Sequence, residues 1–386
     1  MSQHVERALA LIQRRVISGT SLAAYGHGDW NDSLQPAKPD MRERLCSSWT
    51  VTLNYQMLIA LAAAFRSLGN NECATEFESK AATILDEFQR VLIVDDVVTG
   101  LAYFHEGGKT DYLLHPDDHA TGLTYSLLPM IHAIINDMFT PQQAEAHLAI
   151  IRQHLLGPDG ARLFDRPMAY HGGIQNYFQR AESASYFGRE IGIMYTHAHL
   201  RYCEALARFG DVETFFHALC QINPIAIREI VSSAGLRQAN CYYSSSDAAF
   251  ADRYKAFDDY AKVNRGEVTL EGGWRVYSSG AGIATRLIMQ CFLGIQQTKL
   301  SLLINPVIPA ALDGLRASLK LEGHIVEVLY RIQAKGYGPV SVSLNGTNLA
   351  FTREKNLYRL GAVRISIGSI REGLTGKGDQ LVISLS

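Results

Sequence analysis

The densest chemistry in the sequence lies in Tyr25-Gly-His-Gly-Asp-Trp-Asn-Asp-Ser-Leu34, where two carboxylates, Asp29 and Asp32, flank an indole, Trp30. Breaking a glycosidic bond needs an acid whose proton reaches the leaving oxygen and a flat apolar surface for a sugar ring. This one loop carries both. Read alone, Asp-Trp-Asn-Asp is also a plain turn whose aspartates cap the next helix, so its weight comes from its company. The second segment is Gly272-Gly-Trp-Arg-Val-Tyr-Ser-Ser-Gly280, which opens directly into a helical pattern. Backbone N–H groups at a helix start, with Ser279 and Gly280 beside them, suit an oxyanion, and Arg275 adds charge. An ordinary serine cap is the simpler reading of that segment in isolation.

Further polar clusters fall between helical stretches. They are Phe164-Asp-Arg-Pro167 with Arg166, Tyr170-His-Gly-Gly173 with His171, Gln179-Arg-Ala-Glu182, Phe187-Gly-Arg-Glu190 with Arg189, and Asn240-Cys-Tyr-Tyr-Ser-Ser-Ser-Asp247 with Tyr242. Tyrosines, hydroxyls and arginines of this kind suit a hydroxylated ligand, or else lock a loop by ion pairs. Arg180, Arg189 and Arg275 are the candidates for holding an anion. No metal site is expected. In His197-x-His199 the two imidazoles at i and i+2 point to different helix faces, and the Asp-Asp-His end of His115-Pro-Asp-Asp-His119 reads as a helix cap. No G-x-S-x-G elbow supports a serine nucleophile.

The elements that must position these groups are mostly helical through the first three quarters. Apolar periodicity predicts helices over Val5–Val16, Ser48–Ser67, Glu72–Val91, Ala120–Asp137, Pro141–Leu155, Ile191–Phe209, Val212–Gln221 and Ala281–Leu293. Thr140-Pro141 marks a start, and Gly69 and Gly210 mark ends. The connections 26–42, 100–118, 157–189 and 237–280 are long and rich in Tyr, Phe, Trp, Gly and His, which argues for functional loops. Beyond Asn305 the pattern changes to alternating apolar residues broken by Asn-Gly and Gly-Lys-Gly turns, the signature of antiparallel strands. The expected class is therefore mainly α with a β tail, divided as 1–304 and 305–386.

Bulk composition narrows the function. The 386 residues are 47% hydrophobic and 19% charged, ordinary for a globular protein, and a net charge of -2 provides no basic field for nucleic acid or an anionic membrane. The longest apolar run, 57–65, is well short of the ~18 residues of a membrane span. Six scattered cysteines without C-x-x-C spacing read as reduced thiols, and the charged N-terminus is not a signal peptide, so a cytoplasmic location is expected.

The segments YGHGDWNDSLQP, SSWTVTLNYQ, FDRPMAYHGG, GREIGIMYTHAHLRYCEAL, INPI, CYYSSSD and EGGWRVYSSG together resemble glycoside hydrolase family 94, and most of all its 1,2-β-oligoglucan phosphorylases. The resemblance implies part of an (α/α)6 barrel followed by a C-terminal antiparallel β domain, and reversible phosphorolysis with inversion. It implies Asp32 as general acid, Trp30 in the donor-sugar subsite, and Ser279-Gly280 at the phosphate. Asp29, Arg166, His171 and Tyr242 are the further sugar-binding candidates, and Arg189 and Arg275 the further phosphate candidates. Ser47-Ser48-Trp49 stands where cellobiose and chitobiose phosphorylases tend to carry Gly-Glu-Ser, which favours the oligoglucan branch. The implied partners are a β-glucan oligosaccharide and inorganic phosphate, the latter a substrate, with no cofactor, and a homodimer or an N-terminal half that precedes this chain.

The chemistry agrees with that expectation. An inverting hydrolase needs a second carboxylate to activate water, whereas phosphate is already anionic and needs only positive charge and N–H donors. Two rivals stay open at this point. One is an inverting glucan hydrolase with Glu182, Glu190 or Asp247 as base; the other is a non-catalytic carbohydrate-binding remnant.

Overall fold

The computed structural model describes residues 2–170, 172, 174–183, 192–275 and 278–386. The chain divides into two compact units: Met1–Ala198 with Val231–Gln238 and Ser245–Trp274, and His199–Ile230 with Ala239–Ser244 and Arg275–Ser386.

In the first unit the long helices are α1 (Ser2–Arg14), α2 (Ser48–Ser67), α3 (Asn71–Glu87), α4 (Leu127–Ile135) and α5 (Pro141–Ile150). Their starts follow from local chemistry. Ser47 Oγ accepts from Thr50 N at α2, and Asn70 Oδ1 accepts from Cys73 N at α3. Thr140 and Gln143 form a reciprocal capping box at α5, with Pro141 in its first turn. Both α3 and α5 run on into a single wide turn, Phe88–Leu92 and Ile151–Leu155. The residues of α4 from Leu127 to Ile134 are all buried.

Three helical expectations are corrected here. α1 occupies Ser2–Arg14, two residues short of Val16. α4 starts at Leu127 rather than Ala120, because the stretch before it is bound to side chains instead of to a helical ladder. Asp118 accepts from Leu114 N, Ala120 N and Thr121 N, and Asp165 accepts from Thr124 N and Tyr125 N. Asp118 thus locks a loop and caps no helix. The helix expected from Ile191 starts at Thr196, after a strand residue pair.

The long connections fold into small sheets. Strands β1 (Leu45–Ser47), β2 (Leu101–Phe104) and β3 (Thr110–Leu113) form one antiparallel sheet, with Leu45 opposite Tyr103 and Leu101 opposite Leu113. Strands β4 (Met194–Tyr195), β5 (Ser245–Ala248) and β6 (Leu270–Gly272) form another, with β5 central.

In the second unit, α6 (Thr196–Phe209) runs in from the first, followed by α7 (Val212–Gln221) and α8 (Ser278–Leu287). The last of these was expected over Ala281–Leu293; it starts one turn earlier and ends in a wide turn at Ile288–Phe292. Arg359 donates to Ala207 O and Asn356 to Arg208 O, so two polar side chains satisfy the open carbonyls at the end of α6. Most of the remainder is β structure in two sheets, with a short helix over Ile367–Gly373. One orders β7 (Ile295–Gln297), β8 (Ser301–Ile304), β14 (Val363–Ser366) and β13 (Thr352–Arg353). The other orders β9 (Arg316–Leu321), β10 (His324–Arg331), β15 (Asp379–Leu385), β11 (Pro339–Leu344) and β12 (Thr347–Asn348).

Alternation places Leu381, Ile383 and Leu385 of β15 in a core with Leu302, Ile304, Val326, Val328, Val363 and Ile365. Asn345-Gly346 takes the left-handed turn its sequence announces, with φ 52 and 82. One pairing departs from the antiparallel expectation: β10 and β15 run parallel, Val326 opposite Asp379. No described helix is long and apolar enough to cross a membrane.

Candidate active site

The loop 25–35 is held from behind by its own first carboxylate. Asp29 Oδ1 accepts from Asn31 N at 2.8 Å, and Oδ2 accepts from Ser47 Oγ at 3.1 Å and Thr50 Oγ1 at 3.4 Å. Ser47 therefore serves twice, capping α2 and donating to the loop. Burial pushes the Asp29 carboxyl above its ordinary range, against the opposing pull of these hydrogen bonds. Burial and the Asp29 charge likewise push the Tyr25 phenol up. Backbone bonds from Tyr25 N to Leu45 O and Gly26 N to Arg42 O pin the loop's start. Gly26 and Gly28 hold φ of +64 and +116, values that side-chain-bearing residues rarely adopt.

Asn31, 3% exposed, caps a short 3₁₀ turn over Asp32–Leu34 by accepting from Ser33 N. That turn presents Asp32 with its side chain 47% exposed, and Arg180 Nη1 lies 3.4 Å from its Oδ2. Arg180 is brought there by a zipper between two loops. Ala37 N donates to Tyr177 O, Gln179 N to Gln35 O, and Gln179 Nε2 to Pro36 O. Glu182, 1% exposed, accepts from Asn176 N, Tyr177 N and Phe178 N at 2.6, 2.8 and 2.7 Å and holds that turn.

Trp30 lies in a cluster of rings. Its centroid is 5.1 Å from Tyr195, 5.4 Å from His197 and 6.0 Å from Trp49. Sequence reasoning missed Tyr195, Trp49 and His197, the last considered only as half of a metal pair. The available signal was an aromatic-rich strand end running into a helix start, Tyr195-Thr-His197. The second histidine of that pair is structural: His199 is 0% exposed and its Nε2 bonds Ala218 O at 2.8 Å. His115 is likewise committed, to Val94 O and Asp117 N.

The other expected residues are placed as follows. Arg166 pairs at 3.0 Å with its neighbour Asp165, the carboxylate that also holds Thr124 and Tyr125. His171, Arg189 and Glu190 lie outside the described residues. Asp247 sits in β5, its carboxyl raised by burial and by the nearby charges of Asp159 and Glu271. A Cβ on Gly273 would stand 2.0 Å from Ser245 Oγ and 2.6 Å from Asp247 Oδ2, so any larger residue there must displace these two side chains.

In the second unit Arg275, Ser279 and Gly280 gather with the tyrosine loop. A Cβ on Gly280 would stand 1.7 Å from the Tyr242 hydroxyl, and the Arg275 guanidinium lies 5.9 Å from the Tyr243 ring centre. Tyr242 and the start of α8 therefore form one packed cluster, with Ser279 exposed beside it.

No family model matches the chain. A curated relative, 1,2-beta-oligoglucan phosphorylase of Listeria innocua serovar 6a, is 40% identical over 382 residues, 99% of this chain and 34% of that protein. The chain is similar, nearly end to end, to the C-terminal third of that phosphorylase. It thus spans about a third of the length of the curated relative it matches. Among solved structures, one described as a sialidase superposes with a TM-score of 0.56 at 14% identity, covering 95% of this chain and 30% of that one. This likeness concerns the fold alone. A rhamnosidase of Bacillus sp. GL1 gives 0.44 at 12% identity, covering 83% and 28%.

Proposed function

We propose that this chain is the catalytic C-terminal part of an inverting phosphorylase that cleaves β-1,2-glucooligosaccharides to α-glucose 1-phosphate, with its helices forming part of an (α/α)6 barrel. The observation that carries the reading is Asp32 itself. It stands half-exposed on a turn clamped by half-buried Asp29 and buried Asn31, 3.4 Å from an arginine and next in the loop to a ring cluster around Trp30. The similarity to the phosphorylase extends over 99% of the chain at 40% identity.

In this mechanism the Asp32 carboxylic acid gives its proton to the glycosidic oxygen as the bond from that oxygen to the anomeric carbon breaks. A phosphate oxygen forms the new bond from the opposite face, turning the β configuration into α. Arg180 steadies the carboxylate that remains. Trp30, with Tyr195 and His197 against it, offers the flat wall for the donor ring. On the family resemblance alone, Ser279, Gly280 and Arg275 are the groups we propose to hold phosphate through N–H, hydroxyl and charge. We place the reaction in the reducing cytoplasm, in keeping with six cysteines that form no disulfide.

A hydrolase on this scaffold loses one of its candidate bases, because both Glu182 oxygens are taken by three backbone N–H donors. The test is release of α-glucose 1-phosphate from short β-1,2-glucans, with and without inorganic phosphate, by the chain and by Asp32→Asn. Phosphate-dependent release that Asp32→Asn abolishes is the expected result. Turnover retained in Asp32→Asn removes that residue from the acid role; free glucose without phosphate establishes hydrolysis instead; no product identifies a chain that binds without turning over.

A further inference from the structure

We infer that a second anion site lies at the start of the Asp32 loop, on a different wall from Asp32, and that it takes a phosphorylated sugar. A cavity of about 840 Å³ in the first unit is lined by Arg14, Arg15, Arg42 and Arg44, by the loop residues Gly26 and His27, and by Phe104. Asp32 does not line it, and Asp29 and Asn31 line a separate small cleft with Ser47 and Trp49. The inference stands independently of the role given to Asp32.

The charges are unbalanced. Arg44 is committed to Glu106, and the other basic group with a partner, His105, meets Asp111 at 2.6 Å. Arg14, Arg15 and Arg42 meet no carboxylate among the described residues, against one remaining acid on the wall, Glu43. The Arg42 side chain lines the cavity with its Nε buried and without a hydrogen-bond partner among the described residues. Guanidinium groups match phosphate oxygens two at a time, which makes a phosphate the natural complement.

The volume and the rest of the wall extend that reading beyond a bare ion. A phosphate fills a small part of 840 Å³. Phe104, Val16, Ile17 and Pro39 give apolar surface for the C–H face of a sugar ring, and Glu43 with Glu106 can accept from its hydroxyls. Gly26 N is bonded to Arg42 O, so the arginine that faces the ligand also pins the first residues of the Asp32 loop.

The experiment is calorimetric titration of the chain with glucose 1-phosphate, glucose 6-phosphate and inorganic phosphate. It is repeated on Arg42→Gln, on Arg14→Gln/Arg15→Gln and on Ser279→Ala, with thermal melting to show that each variant is folded. The expected result is saturable binding of the sugar phosphates that weakens about tenfold or more in both arginine variants, and that survives in Ser279→Ala. Inorganic phosphate should bind more weakly than either sugar phosphate. Equal affinity for all three overturns the sugar part of the assignment. Binding unchanged in both arginine variants, or abolished by Ser279→Ala alone, overturns the site. Phosphorolysis, measured separately, reports on Asp32 and not on this cavity.

Discussion

Asp29 and Asp32 are three residues apart and have unlike environments. Asp29 is half-buried and accepts from one backbone N–H and two hydroxyls; Asp32 is half-exposed beside Arg180. Replacing each by asparagine should separate the two roles. Asp29→Asn keeps the shape but places an amide where Ser47 and Thr50 donate, and should lower stability by about 1–3 kcal/mol. Asp32→Asn should leave the melting temperature unchanged while removing turnover. A melting temperature that falls equally in both would assign Asp32 to the framework. Glu182→Gln should destabilise by a similar ~1–3 kcal/mol, since three backbone donors, one of them on buried Phe178, lose a charged acceptor. An unchanged melt with lost activity would restore Glu182 as a candidate base.

At the scale of the element, two positions report on packing that the sequence only hints at. Gly294 precedes β7 with φ +66, and a Cβ there would stand 2.0 Å from Pro306 N and 2.3 Å from Pro306 Cα. Backbone cannot rotate away as a side chain can, so Gly294→Ala should cost more than ~2 kcal/mol in chemical denaturation, and a loss under ~0.5 kcal/mol would contradict the close approach.

His147 of α5 is 0% exposed, stacks on Phe139, accepts from Val98 N through Nε2 and donates from Nδ1 to Gln143 O. Burial pulls its imidazole down to about 4. The unfolded chain takes up this proton near 6.5 and the folded chain only near 4, so this site's contribution is complete above pH 6.5 and is lost as pH falls toward 4. The loss amounts to about 3 kcal/mol across that window. Nuclear magnetic resonance of the His147 ring should show a neutral imidazole at pH 6; a midpoint above 6 would reject this environment.

For the molecule as a whole, the thiols give a direct reading of how tightly the chain is closed. None of the six cysteines is paired, and burial pushes the Cys46 and Cys203 thiols far up and that of Cys291 up to about 12. A thiol held protonated and covered reacts only when the structure opens. Native protein should therefore expose Cys73 to a thiol reagent quickly and Cys46 and Cys203 slowly, with all six reacting in denaturant. Rapid labelling of Cys46 in native protein would mean that the sheet holding the Asp32 loop opens on its own. Electrostatics at this scale is unremarkable in sum, with net charge -2, and uneven in detail, since Arg14, Arg15, Arg42 and Arg44 gather around one cavity.

Local chemistry was legible in the sequence wherever neighbours along the chain decide it. The helices Ser48–Ser67 and Val212–Gln221 have the bounds their periodicity and caps predicted, and Asn345-Gly346 turns as its residues require. The Asp-Trp-Asn-Asp loop was recognisable because its chemistry lies within four residues. The start of α4 at Leu127 was not legible, because Asp118 and Asp165, the second of them 41 residues from Thr124, take the amides that a helix would have used. Nor could spacing tell that Asp29 is the anchor and Asp32 the presented group: Ser47 and Thr50, the donors that decide it, are 18 and 21 residues away. Tyr195 and His197 join Trp30, and Arg14 and Arg15 meet Arg42 at one cavity, through the same long-range placement. Residue types and short spacings determined which groups were available; only the tertiary structure decided which were buried, which were paired and which were left to meet a ligand.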